Sequence, residues 1–281
     1  PPCPQSPAAL RRASLRSIGD DAELSVRSAC ERHDGFGSAL SLDGFEQYAT
    51  ITPETFFDGD FTMEAWVYLK NRSLKPSVLE FGNGQPTDSI GISLTGNDAA
   101  PNLYTFVGQE GSSVVANTPL PVRQWVHLAA TLNGHLGRIY LNGILVAENP
   151  NMRVPQAVIR SQNFIGHSGF PGGSNLDALL DEVRVWRGAR SEAEIRSAMA
   201  QPLSGSEPGL LVYYRFDDTA GSTTINDLAD AGGNTPAAIV NNGYLAPGLG
   251  LAPALSAPRA VLAEGGIVFL VDVNPGGAET G

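Results

Sequence analysis

The sequence predicts an all-β fold: an antiparallel two-sheet sandwich of jelly-roll type with a short C-terminal helix, followed by the start of a further β domain. Three observations predict it. Apolar and polar residues alternate over many short runs, the period-two signature of strands that bury one face. Turn residues, drawn from 32 Gly and 20 Pro in 281 residues, separate these runs. Their spacing, roughly every eight to twelve positions, suits a sandwich and not alternating βαβ units. Finally, 42% hydrophobic against 17% charged residues supplies a large core and excludes a disordered chain.

Residues 1–22 are rich in Pro, Ser and Arg and read as an arm or linker, with the sandwich expected over 23–245. "ALSLDG" and "QYATI" read as strands about a turn at Gly44. "FTMEAWVYLK" sets Phe61, Met63, Ala65 and Val67 against Thr62, Glu64, Trp66 and Tyr68, the two faces of one strand. "SVLEFG", "SIGISL", "NLYTFVG" and "SSVVANT" follow. "WVHLAATLNGHLGRIYLNGILVAE" supplies three strands with turns at "NGH" and "NG", the second suited to a tight type I′ hairpin. "NFIGHSG" and "ALLDEVRVW" complete the series. "SEAEIRSAM" reads as a helix, with Ser191 as cap and Glu194 completing a capping box. "LLVYYRFDD" is a further strand that packs back on the sandwich. A Pro/Ala/Gly-rich linker is expected over 246–258. "VLAEGGIVFLVDVN", within 259–281, reads as the opening strand pair of a further β domain, with an immunoglobulin-like one the candidate, so the chain reads as a piece of something longer.

The formal net charge of −11 argues against nucleic acid or an anionic membrane as the main partner, because either needs a basic surface. No run of roughly 18 apolar residues is present to span a membrane, and "PPCPQSPAALRRASLRS" has no apolar signal-peptide core. Cys3 and Cys30 both precede the main strand pattern. A disulfide between them would close a loop of the size for which about 3 kcal/mol is expected. Two unpaired thiols, or a bond to a neighbouring segment outside this sequence, are the alternatives, and two distant cysteines are too few soft ligands for zinc.

Five blocks, "FGSALSLDGFEQYATI", "FTMEAWVYL", "WVHLAATLNGHLGRIYLNGILVA", "NFIGHSG" with "LLDEVRVWRGARSEAEI", and "GLLVYYRFDDTAGSTTINDLADAGGN", arrive in an order that resembles the laminin-G-like, concanavalin A-like jelly-roll domains over roughly residues 24–245. The resemblance implies a two-sheet sandwich, usually a non-catalytic module of secreted or cell-surface proteins, often bound to calcium and sometimes to carbohydrate or protein. One departure is that the family's first block commonly carries an acidic pair before its tyrosine, where this chain has Glu46 and Gln47.

The adjacent acids Asp181 and Glu182 lie in a run that alternates. Strict alternation places Asp181 with Val183 and Val185 on one face and Glu182 with Arg184 and Trp186 on the other. Carboxylates that point apart cannot serve one bond as acid and base, which requires two facing a common substrate. Glu182 and Arg184 read as a sheet-face ion-pair cluster that includes Glu64. Asp181 is expected among core residues, where an unpaired charge is costly, and a structural calcium shared with Asp43 of the "LDG" turn would supply a partner. The alternative is an Asx-type turn at Asp43, with Asp181 accepting loop amides. The acidic run with Asp217, Asp218, Asp227 and Asp230 lacks the order of an EF-hand loop and reads as solvated turns.

"GHSGF" lacks the second glycine of a nucleophile elbow and leads into a Pro-Gly-Gly loop, so no helix starts there. The four His have no metal-binding spacing, and His127 reads as a core or sheet-face residue. Asn71 of "NRS" is a glycosylation sequon in a surface loop. Trp66, Trp125 and Trp186 are candidates for sugar stacking, with packing as the competing role. Any ligand site is expected beside the loops "GNGQPTDS" and "HSGFPGGSN". The expectation is a non-catalytic structural or adhesive module of a secreted or cell-surface protein, contacting neighbouring domains, subunits or glycans. A carbohydrate-binding module attached to an extracellular enzyme is the alternative.

Overall fold

The computed structural model describes residues 37–240 apart from 85, 97, 219–221 and 230–235, together with the backbones of three later strands. In chain order the strands are β1 (Ala39–Asp43), β2 (Tyr48–Ile51), β3 (Phe61–Leu69), β4 (Ser77–Gly82), β5 (Ile90–Thr95), β6 (Ala100–Val107), β7 (Glu110–Val115), β8 (Trp125–Asn133), β9 (Leu136–Leu141), β10 (Ile144–Asn149), β11 (Gln162–Ile165) and β12 (Asp177–Arg187). Helix α1 (Glu192–Met199) follows, then β13 (Leu210–Tyr214), β14 (Thr224–Ile225), β15 (Ala237–Val240), β16 (Tyr244–Ala246), β17 (Val261–Glu264) and β18 (Ile267–Leu270).

The strands of the sandwich form two antiparallel sheets. The first runs β10-β9-β8-β3-β12-β1-β16, with β13 also paired to β12; the second runs β14-β15-β2-β11-β4-β5-β6-β7. β17 and β18 pair as a separate hairpin and fall outside the unit Asp34–Pro253.

Period two decides which side chains meet between the sheets. Met63, Ala65 and Val67 of β3, Leu128, Ala130 and Leu132 of β8, and Ile90, Ile92 and Leu94 of β5 all join one buried cluster. Burying a side chain of this kind contributes roughly 1.5–3 kcal/mol, so a one-residue slip in any central strand would cost several such terms. Phe56, Phe57, Phe61 and Phe81 close one part of the core with ring centroids 4.9–6.2 Å apart.

The outer face of the first sheet is also buried. α1 lies across it, with Ile195 packed against Ala129 and Tyr140, and the chain after it brings Leu203 and Ala229 against Trp186, Leu210 and Tyr213. The helix begins where expected. Glu194 N donates to Ser191 Oγ and Ser191 N to Glu194 Oε2, a complete capping box.

Arg160, fully buried, ties three loops together. Its guanidinium donates to the main-chain carbonyls of Asp88, Phe57, Val158 and Gln156 and lies over the Phe57 ring. Burial lowers its pKa to about 10, against the pull of Asp88, so the group stays charged at neutral pH.

β12 departs from strict alternation. Asp181 pairs with Trp66 but Arg184 pairs with Glu64, so three steps on β12 match two on β3. This is a bulge with one extra residue, and Glu182 sits in it at φ 51°. The edge partner changes at the same place: β1 pairs with Asp177–Leu180 and β13 with Val183–Trp186. The register shift keeps Val183 and Val185 in the core with Leu180 while Asp181, opposite Trp66, moves to the helix-covered face. The expectation that Asp181 shares the core face of Val183 and Val185, with Glu182 pointing away from it, is therefore corrected.

Candidate functional site

The sequence-predicted candidates settle at separate places. Asp43 pairs with Asp177 while Leu40 pairs with Leu180, so β1 and β12 do lie side by side, but Asp43 and Asp181 are about four residues, ~13 Å, apart along the ladder. They do not fit a single calcium ion. Asp43 instead accepts the N–H of Phe45 at 2.9 Å, an Asx turn. Asp181 accepts the N–H of Glu182 at 2.8 Å; burial, and then the neighbouring Glu182, push its pKa well above the usual carboxylate range. Among the described residues no group of three or more His, Cys, Asp or Glu is placed to hold a metal ion. Asn71 is exposed, its Nδ2 donating to Asp177 Oδ2 at 2.6 Å. Cys3 and Cys30 lie outside the described residues.

Glu182 belongs to a buried polar layer between the first sheet and α1. Arg184 donates to Glu182, to Ala198 O and to Gln201 O, and stands 3.6 Å from Glu64. Tyr213 OH donates to Glu182 at 2.7 Å and Trp186 Nε1 to Glu64 at 2.9 Å. His127 Nε2 lies 3.7 Å from Glu64. Trp66 and Trp186 are 1% exposed and Trp125 6%, so the tryptophans pack and offer no platform to a sugar.

The second sheet presents a different outer face. In β4, Leu79 and Phe81 enter the core, which turns Glu80 outward. Glu80 accepts hydrogen bonds from Ser77 Oγ at 2.8 Å, Tyr104 OH at 3.0 Å and Gly169 N at 3.0 Å. Tyr104 thus lies flat over β5, which is possible because Gly91 is beneath it: a Cβ there would stand 2.4 Å from the phenol oxygen. Gly111 does the same for Phe106, where a Cβ would meet the ring at 2.4 Å. Burial, and then the Glu80 charge, hold the Tyr104 phenol well above its usual pKa, so it remains a donor at all ordinary pH.

Segment 167–173 folds over this floor and places Phe170 5.4 Å from Tyr104 and 5.9 Å from Phe106. The result is a cleft of about 560 Å³ floored by these rings and rimmed by Lys75, Asn102 and Ser113. It has the build of a small-molecule site, apolar faces with a few polar groups. A second hollow of about 700 Å³, lined by His135, Met152 and Arg153 beyond β7, contains no Phe, Tyr or Trp. Of the two loops singled out in the sequence, "HSGFPGGSN" forms the cleft. "GNGQPTDS" stands aside, held by Asp88 Oδ1 on Gly108 N. Sequence reading missed Glu80, Tyr104 and Phe106; the signal was present as one acid in an apolar strand and as glycines inside strands, which mark close approach.

The family model of the concanavalin A-like lectin/glucanases superfamily matches residues 43–196. The chain belongs to this superfamily. Its fold resembles that of a candidate carbohydrate-binding protein from Bacteroides ovatus ATCC 8483, at 18% identity and TM-score 0.54, covering 75% of this chain and 62% of that one. It also resembles Domain 4 of AbnA, a GH43 extracellular arabinanase from Geobacillus stearothermophilus, solved with arabinotriose: 19% identity, TM-score 0.50, 57% of this chain and 75% of that one. Pappalysin-1 of Mus musculus is 23% identical over 200 residues, 66% of this chain. The superfamily member spans 12% of that relative's length. No helix among the described residues is long and apolar enough to cross a membrane.

Proposed function

We propose that the chain is a non-catalytic carbohydrate-binding module of a larger extracellular or cell-surface protein, and that it seats a neutral glycan against the half-buried rings of Phe106 and Phe170, in the cleft that the buried Tyr104 supports from beneath. The aromatic floor carries the reading: flat rings beside amides and hydroxyls offer apolar faces for sugar C–H surfaces and partners for sugar hydroxyls. The B. ovatus protein and the arabinotriose-bound domain support it through a shared fold. Binding without catalysis is supported by the acids. No carboxylate lines the cleft among the described residues, Glu80 beneath it serves Ser77, Tyr104 and Gly169, and Asp181 and Glu182 are buried on the other sheet. Hydrolysis of a glycoside needs two carboxyl groups across one bond. This is the alternative weighed from the sequence, preferred to the structural or adhesive module because the cleft supplies a cluster of aromatic and polar groups at one place.

A glycan array tests the reading. Saturable binding to one neutral class is expected, weakened about tenfold, or ~1.4 kcal/mol, by Phe106→Ala. Silence across a broad array, or binding untouched by Phe106→Ala and Phe170→Ala, would sink it.

A further inference from the structure

The cleft occupies part of a longer feature. On the outer face of the second sheet, Thr50, Phe164, Glu80, Gly91, Tyr104 and Ser113 are successive cross-strand partners. They form a straight row over six strands, roughly 24 Å long. Segment 167–173 crosses the row at Glu80, where Gly169 is anchored, and divides the face in two. The cleft lies on one side.

On the other side Tyr48, Phe164 and His167 form a second aromatic group. His167 stacks on Tyr48 at 4.6 Å and 25°, and Phe164 stands edge-on to His167 at 4.8 Å. The His167 Nδ1 contact with Asn175 Oδ1 at 2.6 Å fixes the imidazole. All three rings are half-buried, and Gln162, two residues before Phe164 on the same face, is exposed. Rings beside an amide repeat the composition of the cleft. Phe164 and Tyr104 are three strand steps apart, about 14 Å, a span for several sugar rings and not for one.

Resting on the reading of the cleft as a glycan site, we infer that Tyr48, Phe164 and His167, with Gln162, form a second sugar platform. One linear oligosaccharide then runs across the strands, over segment 167–173, and contacts both. The module recognises the interior of a polysaccharide chain, and its affinity rises with chain length.

Calorimetry with di- to hexasaccharides of arabinan, xylan, glucan and mannan type tests this. For the series that binds, affinity is expected to rise about tenfold from the shortest to the longest member. Phe164→Ala and, independently, Gln162→Ala should remove that rise while short ligands bind as before. Gln162 is exposed, so its variant separates loss of contact from loss of fold. Phe106→Ala should weaken every length alike. A rise that survives both Phe164→Ala and Gln162→Ala overturns the second platform and leaves the cleft reading standing. No binding of any length by the unaltered protein overturns the cleft reading, and this one with it.

Discussion

At the scale of single residues, the layer beneath α1 concentrates the largest electrostatic stakes. Arg184 sits between Glu64 and Glu182, all three at most 1% exposed. Removing the cation strips Glu64 of its arginine and leaves Glu182 only Arg215, 3.6 Å away, so Arg184→Met should destabilise by about 3–5 kcal/mol, and the added change Glu182→Gln should restore part of the loss. Denaturant titration of the single and double variants checks both. His127 gives a pH dependence. Burial lowers its pKa to about 4, opposed by Glu64 and assisted by Arg184, whereas the unfolded side chain titrates near 6.5. The unfolded state therefore binds the extra proton between these values. The contribution to stability is full above about pH 6.5 and is lost as pH falls toward 4, on the order of 3 kcal/mol. Asp181 and Glu182, both raised by burial, act in the opposite sense: their contribution is present at low pH and lost as pH rises above the ordinary carboxylate range. Comparing His127→Gln with the parent across pH 4–7 isolates the imidazole, and parallel curves would refute its part.

At the scale of elements, much of the architecture was legible in the sequence because alternation is local. "FTMEAWVYL" became β3 with the predicted faces, and the capping box at Ser191 and Glu194 formed as read. Ser191→Ala should cost about 1 kcal/mol in thermal unfolding. The bulge in β12 was not legible. It coincides with the exchange of β1 for β13 along one edge, a long-range pairing that leaves no mark in "LLDEVRVW" itself. One inserted residue was enough to move Asp181 to the opposite face and to separate the calcium expectation from its geometry. The antiparallel register did the rest, since a turn residue at the end of β1 meets the start of β12 and not its middle. The candidate cleft was half legible: the loop at 167–175 advertises itself through glycine, but the rings it covers come from β6, distant in sequence and adjacent only through pairing.

At the scale of the whole sandwich, the two sheets have unlike outer faces. The first is roofed by α1 and the chain after it, which explains why Trp66 and Trp186 are consumed in packing. The second is crossed by a single segment and keeps aromatic rings near solvent. Phe106→Ala and Phe164→Ala are therefore expected to shift the melting temperature less than Trp66→Ala, whose ring is 1% exposed and whose Nε1 holds Met199 O; a loss of roughly 3–5 kcal/mol is expected for that tryptophan.

Arg160 carries a consequence for how the loops it joins can change over generations. Its partners are peptide carbonyls, which every amino acid supplies, so Gln156 and Val158 can be exchanged freely while the foundation under the loops persists. The position that cannot drift is 160 itself. A lysine there has no planar fork to reach four acceptors, and a saturation library should tolerate almost anything at 156 and 158 and nearly nothing at 160.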